Sequence, residues 1–406
     1  MWELVRANQR RAATLVVAMA ALLFLVGYAL GEALAPGAGL GGLFVAFVVW
    51  VGLTLVSYYQ GDTVFLALSR ARRIEKKDNP QLYNVVEEMT IAAGLPKVPD
   101  VYVIDDAAPN AFATGRDPQH AAVAVTAGLL ETLRRDELQG VIAHELGHVK
   151  NRDVLYMMMV GVMMGAIVLL ADVGARVFFY GGGRRRTSSR GEGQGQLIVV
   201  VVAVLLMILA PIVAQLIYFA LSRRREYLAD ASSALFTRYP EGLASALEKI
   251  SHSTAKLASA TRATAPMYIV NPLGVTARGL ADLTSTHPPI SERVRILRSM
   301  GGGASLGNYD QAFRAVTGDR GGVIPASGLA AGRAPAVAAP AAPAAPDAGA
   351  RLERVRQTTD MLWRLNQYAF IDCACGTKLK VPPVYVGRDI ACPHCGAPHR
   401  VQAGAA

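Results

Sequence analysis

The run Val141-Ile142-Ala143-His144-Glu145-Leu146-Gly147-His148-Val149-Lys150-Asn151-Arg152-Asp153 stands directly before a stretch, Val154 to Ala171, that holds no charged residue. Its two halves, read together, decide the fold class. Asp136 to Lys150 reads as a helix, and His144 and His148, at i and i+4, share one face of it. Two imidazoles at that separation can bind one Zn²⁺ at about 2.0–2.1 Å each. Glu145 stands beside them, placed to take a proton from a water that zinc acidifies towards a pKa of about 7. The apolar half is close to the roughly 20 residues that a helix needs to cross a bilayer. A metal-binding helix therefore runs straight into a membrane span.

Working outward, three more apolar blocks appear. Ala12–Gly31 and Ala33–Gly61 are separated by Glu32 alone, and a fourth block runs from Leu197 to Ser222. The block after Asp153 continues to about Tyr180 but takes in Asp172 and Arg176, so its second half fits a span less well. The chain is 52% hydrophobic and 18% charged, against about 25% charged in soluble domains, which excludes an ordinary cytosolic protein. Four cysteines in 406 residues exclude a disulfide scaffold. The first block resembles a secretory signal, but Pro36 follows the would-be cleavage site and a second span begins at once, so an uncleaved anchor is expected. Arg6, Arg10 and Arg11 before the first span, and Arg70, Arg72, Arg73, Lys76 and Lys77 after the second, place both flanks in the cytoplasm. Arg184, Arg185, Arg186 and Arg190 break this alternation, which leaves a re-entrant pair open for residues 154–222. The net charge of +10 is read as the basic flanks of membrane spans meeting anionic headgroups, and no nucleic-acid partner is expected.

The expected fold class is a mainly α integral membrane protein. It has about four transmembrane helices, a cytoplasmic α+β zincin-type protease domain and a small zinc ribbon. Residues 1–61 form two spans, and 62–153 the first part of the protease domain. Within that part Gln81–Ala93 has helical spacing, while Val101–Ile104 and Ala121–Val125 read as strands. Residues 154–222 form the second pair of spans, and 223–300 the mostly helical remainder of the protease domain. Residues 301–350 are a Gly/Ala/Pro-rich linker, and 351–406 a short helix with a cysteine module.

A catalytic zinc site takes three protein ligands and an open position. Arg225-Glu226-Tyr227-Leu228-Ala229-Asp230 offers Glu226 as the third ligand, with Asp230 on the same helical face to orient a histidine N–H. Spacing alone leaves the rival reading open, a solvated charged helix following a membrane span.

His144-Glu145-x-x-His148 ahead of one apolar block and Arg225-Glu226-x-x-Ala229-Asp230 after another resemble the HtpX-like membrane metallopeptidases, relatives of the CAAX prenyl endopeptidases. Asn110-Ala111-Phe112-Ala113-Thr114-Gly115, Asn151-Arg152-Asp153, and Thr286-His287-Pro288-Pro289 with Arg293 add to the resemblance, which covers about residues 1–300. It implies zinc bound by His144, His148 and Glu226, with Glu145 as general base and later proton donor. It puts Asn110 and Ala113 on a strand along which substrate pairs, and His287 and Arg293 beside the scissile carbonyl. The residues themselves leave other roles open. Asn110 suits a turn after Pro109, His287 a cap before Pro288, and Arg293 a helix-surface charge. Asp153 fits either a helix end or a partner for a ligand.

Cys373-Ala374-Cys375 and Cys392-Pro393-His394-Cys395, with 16 residues between the pairs, suit a tetrahedral Cys₄ structural zinc. Two disulfides or a redox pair are the alternatives. This module lies outside the resemblance, and a protein partner is one task open to it. The chain is thus expected to be a zinc metalloendopeptidase of the bacterial inner membrane, its protease domain and C-terminus in the cytoplasm. Its expected substrates are polypeptides, chiefly membrane proteins in quality control. A processing protease for a lipidated or secreted peptide and a non-enzymatic membrane scaffold stand as alternatives.

Overall fold

The computed structural model describes residues 2–180, 193–255, 257–258, 267–270, 287–301, 303–324, 329 and 348–402. The basic loop Arg184–Arg190, Thr286 and nearly all of the Pro/Ala linker lie outside the described residues.

Two long helices, α1 (Trp2–Leu34) and α2 (Gly39–Leu68), open the chain as a hairpin. Its close approach depends on glycine: a Cβ on Gly42 would lie 2.2 Å from the Gly27 carbonyl oxygen. Small residues at such crossings let backbones pack within a bilayer, where burial alone offers little drive. Helix α6 (Val154–Tyr180) and α7 (Gly193–Thr237) complete a four-helix bundle. Met19, Leu23, Val26, Val160, Met163, Ile167 and Ala214 fill its centre. The outer surface is apolar too: Leu40 is 73% exposed, Phe44 66% and Ile198 63%. A water-facing protein does not carry such a continuous apolar belt, and the described helices include four stretches long and apolar enough to cross a membrane, Ala12–Leu34, Gly39–Leu68, Val154–Arg176 and Val200–Ile217.

A mixed α/β domain hangs on these spans. β1 (Arg72–Arg73), β2 (Asp100–Ile104), β3 (Ala111–Thr114) and β4 (Ala122–Thr126) form a sheet in the order β1-β2-β4-β3, with β2 and β4 parallel and β3 antiparallel at an edge. Helix α3 (Pro80–Ala93) starts on an Asn79 cap, whose Oδ1 accepts from Leu82 N at 3.0 Å. It ends on Gly94 in the left-handed region, φ 62°. Short α4 (Ala127–Thr132) is capped by Thr126. Helix α5 (Arg135–Asn151) carries the two histidines. At its start the Arg134 amide donates to Glu137 at 2.8 Å, and Lys249 and Ser245 of α8 (Pro240–Ser251) also bind that buried carboxylate. Arg152 adopts φ 53° and turns the chain from α5 into the α6 span. Helices α9 (Ile290–Arg298) and α10 (Leu306–Thr317) close the domain, and the Tyr227 hydroxyl on α7 donates to Glu292 of α9.

The expected strands and the helix at Gln81–Ala93 all form. The span that ends near Ser222 does not stop there: α7 continues unbroken through Glu226 to Thr237. The expected short helix is α11 (Ala348–Leu365), and it is docked rather than free. Met361 is buried in the core of the α/β domain, with Leu362 and Leu365 packed against it, and Arg72 Nη1 donates to Asn366 at 2.6 Å. Beyond α11, β5 (Ala369–Asp372) pairs with β6 (Lys378–Val381), and β7 (Asp389–Ala391) with β8 (Pro398–Arg400).

Candidate active site

Gly147 brings the ligand helices together. A Cβ there would lie 3.0 Å from Ser232 Cβ and 3.3 Å from Ala229 Cα, so α7 crosses α5 over a position with no side chain. Glu226, one turn before Ala229, is thereby aimed at the histidines. His144 Nε2 lies 3.6 Å from Glu226 Oε2, His148 Nε2 lies 3.4 Å from Glu226 Oε1, and the two Nε2 atoms are 3.2 Å apart. The opposite ring nitrogens face carboxylates. His144 Nδ1 is 2.9 Å from Asp230 Oδ1, and His148 Nδ1 is 3.2 Å from Asp153 Oδ1. A carboxylate at Nδ1 holds the proton there, which assigns a bare lone pair to each Nε2. With both Nε2 lone pairs bare, two imidazoles and a carboxylate can converge on one point. Glu226 Oε2 is buried and accepts no hydrogen bond among the described residues. Such a donor set fits a divalent cation, and the three ligand atoms lie within 4.8 Å of one another.

Glu145, also buried, faces the same space. Burial pushes its carboxyl above the ordinary range and Glu226 adds to this, while His144, His148 and the Ala113 amide pull it back. A raised carboxyl suits a group that must take up and release a proton near neutral pH. Around it, Ala113, Val154, Met157 and Met267, together with His148, Asp153, Arg225 and Glu226, line a small, partly open cleft.

The comparisons with known proteins agree with this geometry. Residues 76–301, more than half of the chain, match the model of Peptidase family M48. The chain belongs to peptidase family M48. A "Protease HtpX homolog" of Dictyoglomus thermophilum is 46% identical to this M48 peptidase over 300 residues, covering 74% of this chain and 95% of the relative. Another of the same description, from Streptococcus gordonii, is 40% identical over 300 residues, covering 74% and 100%. A crystal structure of S. mikatae Ste24p is similar at a TM-score of 0.43 and 18% identity, over 73% of this chain and 67% of that one, and adds nothing to the assignment. This M48 chain is an integral membrane metallopeptidase.

The remaining expected residues of the M48 site fall as follows. His287 is buried with Nε2 3.9 Å from Glu226 Oε1. Burial lowers its pKa against the opposing pull of Glu226, which favours the neutral ring. Arg293 has no exposed surface. Its Nε and Nη2 donate to Asp230 at 2.8 and 2.7 Å, and Nη1 lies 3.3 Å from both Glu226 Oε2 and the Ile269 carbonyl oxygen. Arg293 thus stands at the site, in contact with Glu226, Asp230 and Ile269, and is not a helix-surface charge. Burial alone would raise Asp230, but Arg293 and His144 outweigh it and hold the carboxyl below its usual range. Asn110 Nδ2 donates to the Val270 carbonyl at 2.9 Å, and its Oδ1 accepts from Ala111 N at 3.1 Å, so its side chain is occupied within the protein. Ala113 is buried on β3, the strand at one end of the sheet.

Three participants were given no role in the sequence reading. Arg225 Nη1 donates to the Asp153 carbonyl at 2.8 Å, bracing the residue that faces His148. Met157 and Met267 wall the cleft. Arg225 had a local signal, since it directly precedes Glu226; Met267 had none, because its position depends on contacts with β3, more than 150 residues away in the chain.

In the C-terminal module Cys373 Sγ is 3.4 Å from Cys395 Sγ, and Cys375 Sγ is 3.8 Å from Cys392 Sγ. The four thiols lie within 4.8 Å of one another. Gly376 and Gly396, at φ 85° and 75°, make the tight turns after each pair. This arrangement fits a metal-bound ribbon.

Proposed function

We propose that the chain is a zinc endopeptidase that cleaves polypeptides at the cytoplasmic face of a bacterial inner membrane, acting in membrane protein quality control. The observation that carries this reading is the convergence of two carboxylate-oriented imidazoles and Glu226, with Glu145 alongside. A zinc ion held by His144, His148 and Glu226 would polarise a peptide carbonyl and acidify a water. Glu145 takes the proton from the attacking water as its oxygen bonds to the carbonyl carbon. The same carboxyl then hands that proton to the departing amine nitrogen as the C–N bond breaks. His287 donates an N–H to the carbonyl oxygen as negative charge develops there. Asp230 and Asp153 fix the ring orientations, and Arg293 positions Asp230 and Glu226. Ala113 offers its strand edge to the substrate backbone. The four cysteines would hold a second, structural zinc.

Basic residues flanking the first two spans support the cytoplasmic orientation, and the names of the curated relatives support the protease reading. The test is casein degradation by the full-length protein in detergent, with zinc present and then removed by a chelator. Glu145→Gln should keep its zinc and lose proteolysis; full activity in a metal-loaded Glu145→Gln protein refutes the role of Glu145.

A further inference from the structure

We infer that the exposed tip of the C-terminal ribbon, Val384-Tyr385-Val386 with Arg388, docks into the headgroup layer of an anionic bilayer, giving the chain a membrane contact outside its four spans. The ribbon lies beyond residues 76–301 that match the M48 family model, and its docking stands independently of the protease reading.

The tip holds apolar groups in the open. Between β6 and β7 the chain runs Pro382-Pro383-Val384-Tyr385-Val386-Gly387-Arg388, and a tight turn over Pro383–Tyr385 closes on its own backbone. Tyr385 N donates to the Pro382 carbonyl at 3.0 Å, Val386 N to that of Pro383 at 3.1 Å and Arg388 N to that of Tyr385 at 3.0 Å. Gly387, at φ 82°, donates to the Val401 carbonyl at 2.8 Å and ties the turn to the end of β8. Backbone bonds thus set the shape of the turn without burying its side chains. Val384 is 69% exposed, and Tyr385 and Val386 beside it are exposed as well. The ribbon's own core is made elsewhere, by Ala369, Leu379, Val381, Val401 and two of the cysteines. Single exposed apolar residues are ordinary, but three in a row on a fixed turn mark a contact surface.

Charge selects what covers it. Residues 348–402 hold eight Lys and Arg against four Asp and Glu. Some of this charge is met inside the module: Asp372 stands opposite Lys378, Asp389 opposite Arg400, and Lys380 pairs with Asp360 at 2.6 Å. Arg388 makes no ion pair among the described residues, and its guanidinium lies 6.0 Å over the Tyr385 ring, so a free cation stands at the apolar tip. Apolar and aromatic groups beside a cation suit the layer where acyl chains adjoin phosphates. Nucleic acid suits the module less well, because the rings of Trp363 and Phe370 are already taken by Lys380, Arg364 and Lys378. The bilayer is also within reach. Helix α2 meets its first charged residue at Asp62, just past Tyr58 and Tyr59, which marks a membrane boundary. Arg72, which holds Asn366 at the foot of the ribbon, stands roughly 10–20 Å above that boundary. A module the size of residues 369–402 is about 20 Å across, so its tip can span the gap. Ribbon and spans share one chain, which keeps the bilayer at a high effective concentration, and a weak contact suffices. Through α11, with Met361 in the domain core, the docked ribbon braces the α/β domain against the membrane.

The test is photocrosslinking in vesicles. The full-length zinc-loaded protein, with p-benzoylphenylalanine at position 384, is reconstituted at high dilution into mixed phosphatidylglycerol and phosphatidylcholine, or into phosphatidylcholine alone. Adducts are identified by mass spectrometry, and the same label at Phe44 in the apolar belt is the positive control. The expected product at position 384 is a lipid adduct, at least about fivefold more abundant in the anionic vesicles. Arg388→Gln should remove about a fivefold factor, the weight of one surface charge. High salt should close the gap between the two lipids without any substitution, so the expectation stays testable if Arg388→Gln loses its metal. Absence of a lipid adduct at position 384 while the Phe44 label reacts overturns the inference. So does an adduct to the chain itself, to a second copy or to an added oligonucleotide in place of lipid. Equal yields in the two lipids at low salt refute docking through charge.

Discussion

Replacing Gly147 with valine tests how the third ligand reaches the histidines. An added Cβ lies 3.0 Å from Ser232 Cβ and 3.3 Å from the Ala229 backbone. Ordinary carbon contacts are about 3.5–4.0 Å, so α5 and α7 must part by roughly half an ångström for the Cβ alone, and further for its two methyl groups. Overpacking of this kind costs about 1–3 kcal/mol. Helix propensity works the other way, returning a few tenths of a kcal/mol when glycine is replaced mid-helix. The clash wins, for a net loss of about 2 kcal/mol. The local consequence is sharper, because Glu226 rides on the helix that is pushed away. Loss of supporting geometry at metal sites lowers affinity about 10–100-fold, and the same range is expected here. Alanine at the position should do far less, since it adds the Cβ without the two methyl groups and the propensity gain is larger. The assay is zinc competition against a chromogenic chelator, with the thermal midpoint in detergent measured alongside. If Gly147→Val keeps both the wild-type zinc affinity and the wild-type midpoint, the close crossing does not set the position of Glu226.

Other substitutions separate the parts of the site. Asp153→Asn should weaken zinc binding about 10–100-fold in the chelator assay by removing the acceptor at His148 Nδ1. Arg293→Met should destabilise the protein by about 3–5 kcal/mol, because it strands the buried Asp230 carboxylate; the thermal midpoint reads this. Cys373→Ser should cut zinc content from two equivalents to one by elemental analysis while casein cleavage persists, since the four cysteines and the His144, His148 and Glu226 group share no residue.

Much of this arrangement can be read without a structure, for identifiable reasons. A membrane span announces itself through length and composition, and all four apolar blocks form helices. The histidine pair is legible because i,i+4 spacing on a helix is a local constraint. Glu226 and Asp230 obey the same spacing, so once a helix is granted there, one can bind the metal while the other reaches His144 Nδ1. Arg293 is harder to place. A charge on a short helix usually faces water, and only the fold sets Asp230 opposite it, 63 residues away in sequence. The segment Met267–Val270 carries no motif, since its role lies in backbone hydrogen bonds to β3. The docking of α11 was hidden for another reason: a Pro/Ala linker suggests an independent unit, whereas Met361 is part of the protease core.

The most direct measurement is an anomalous-scattering map at the zinc edge from crystals of the full-length protein. The account predicts one peak bounded by His144 Nε2, His148 Nε2 and the Glu226 carboxylate, and a second among the four cysteine sulfurs. A map with its only peak in the ribbon, or with a catalytic peak that Glu226 does not touch, would contradict it.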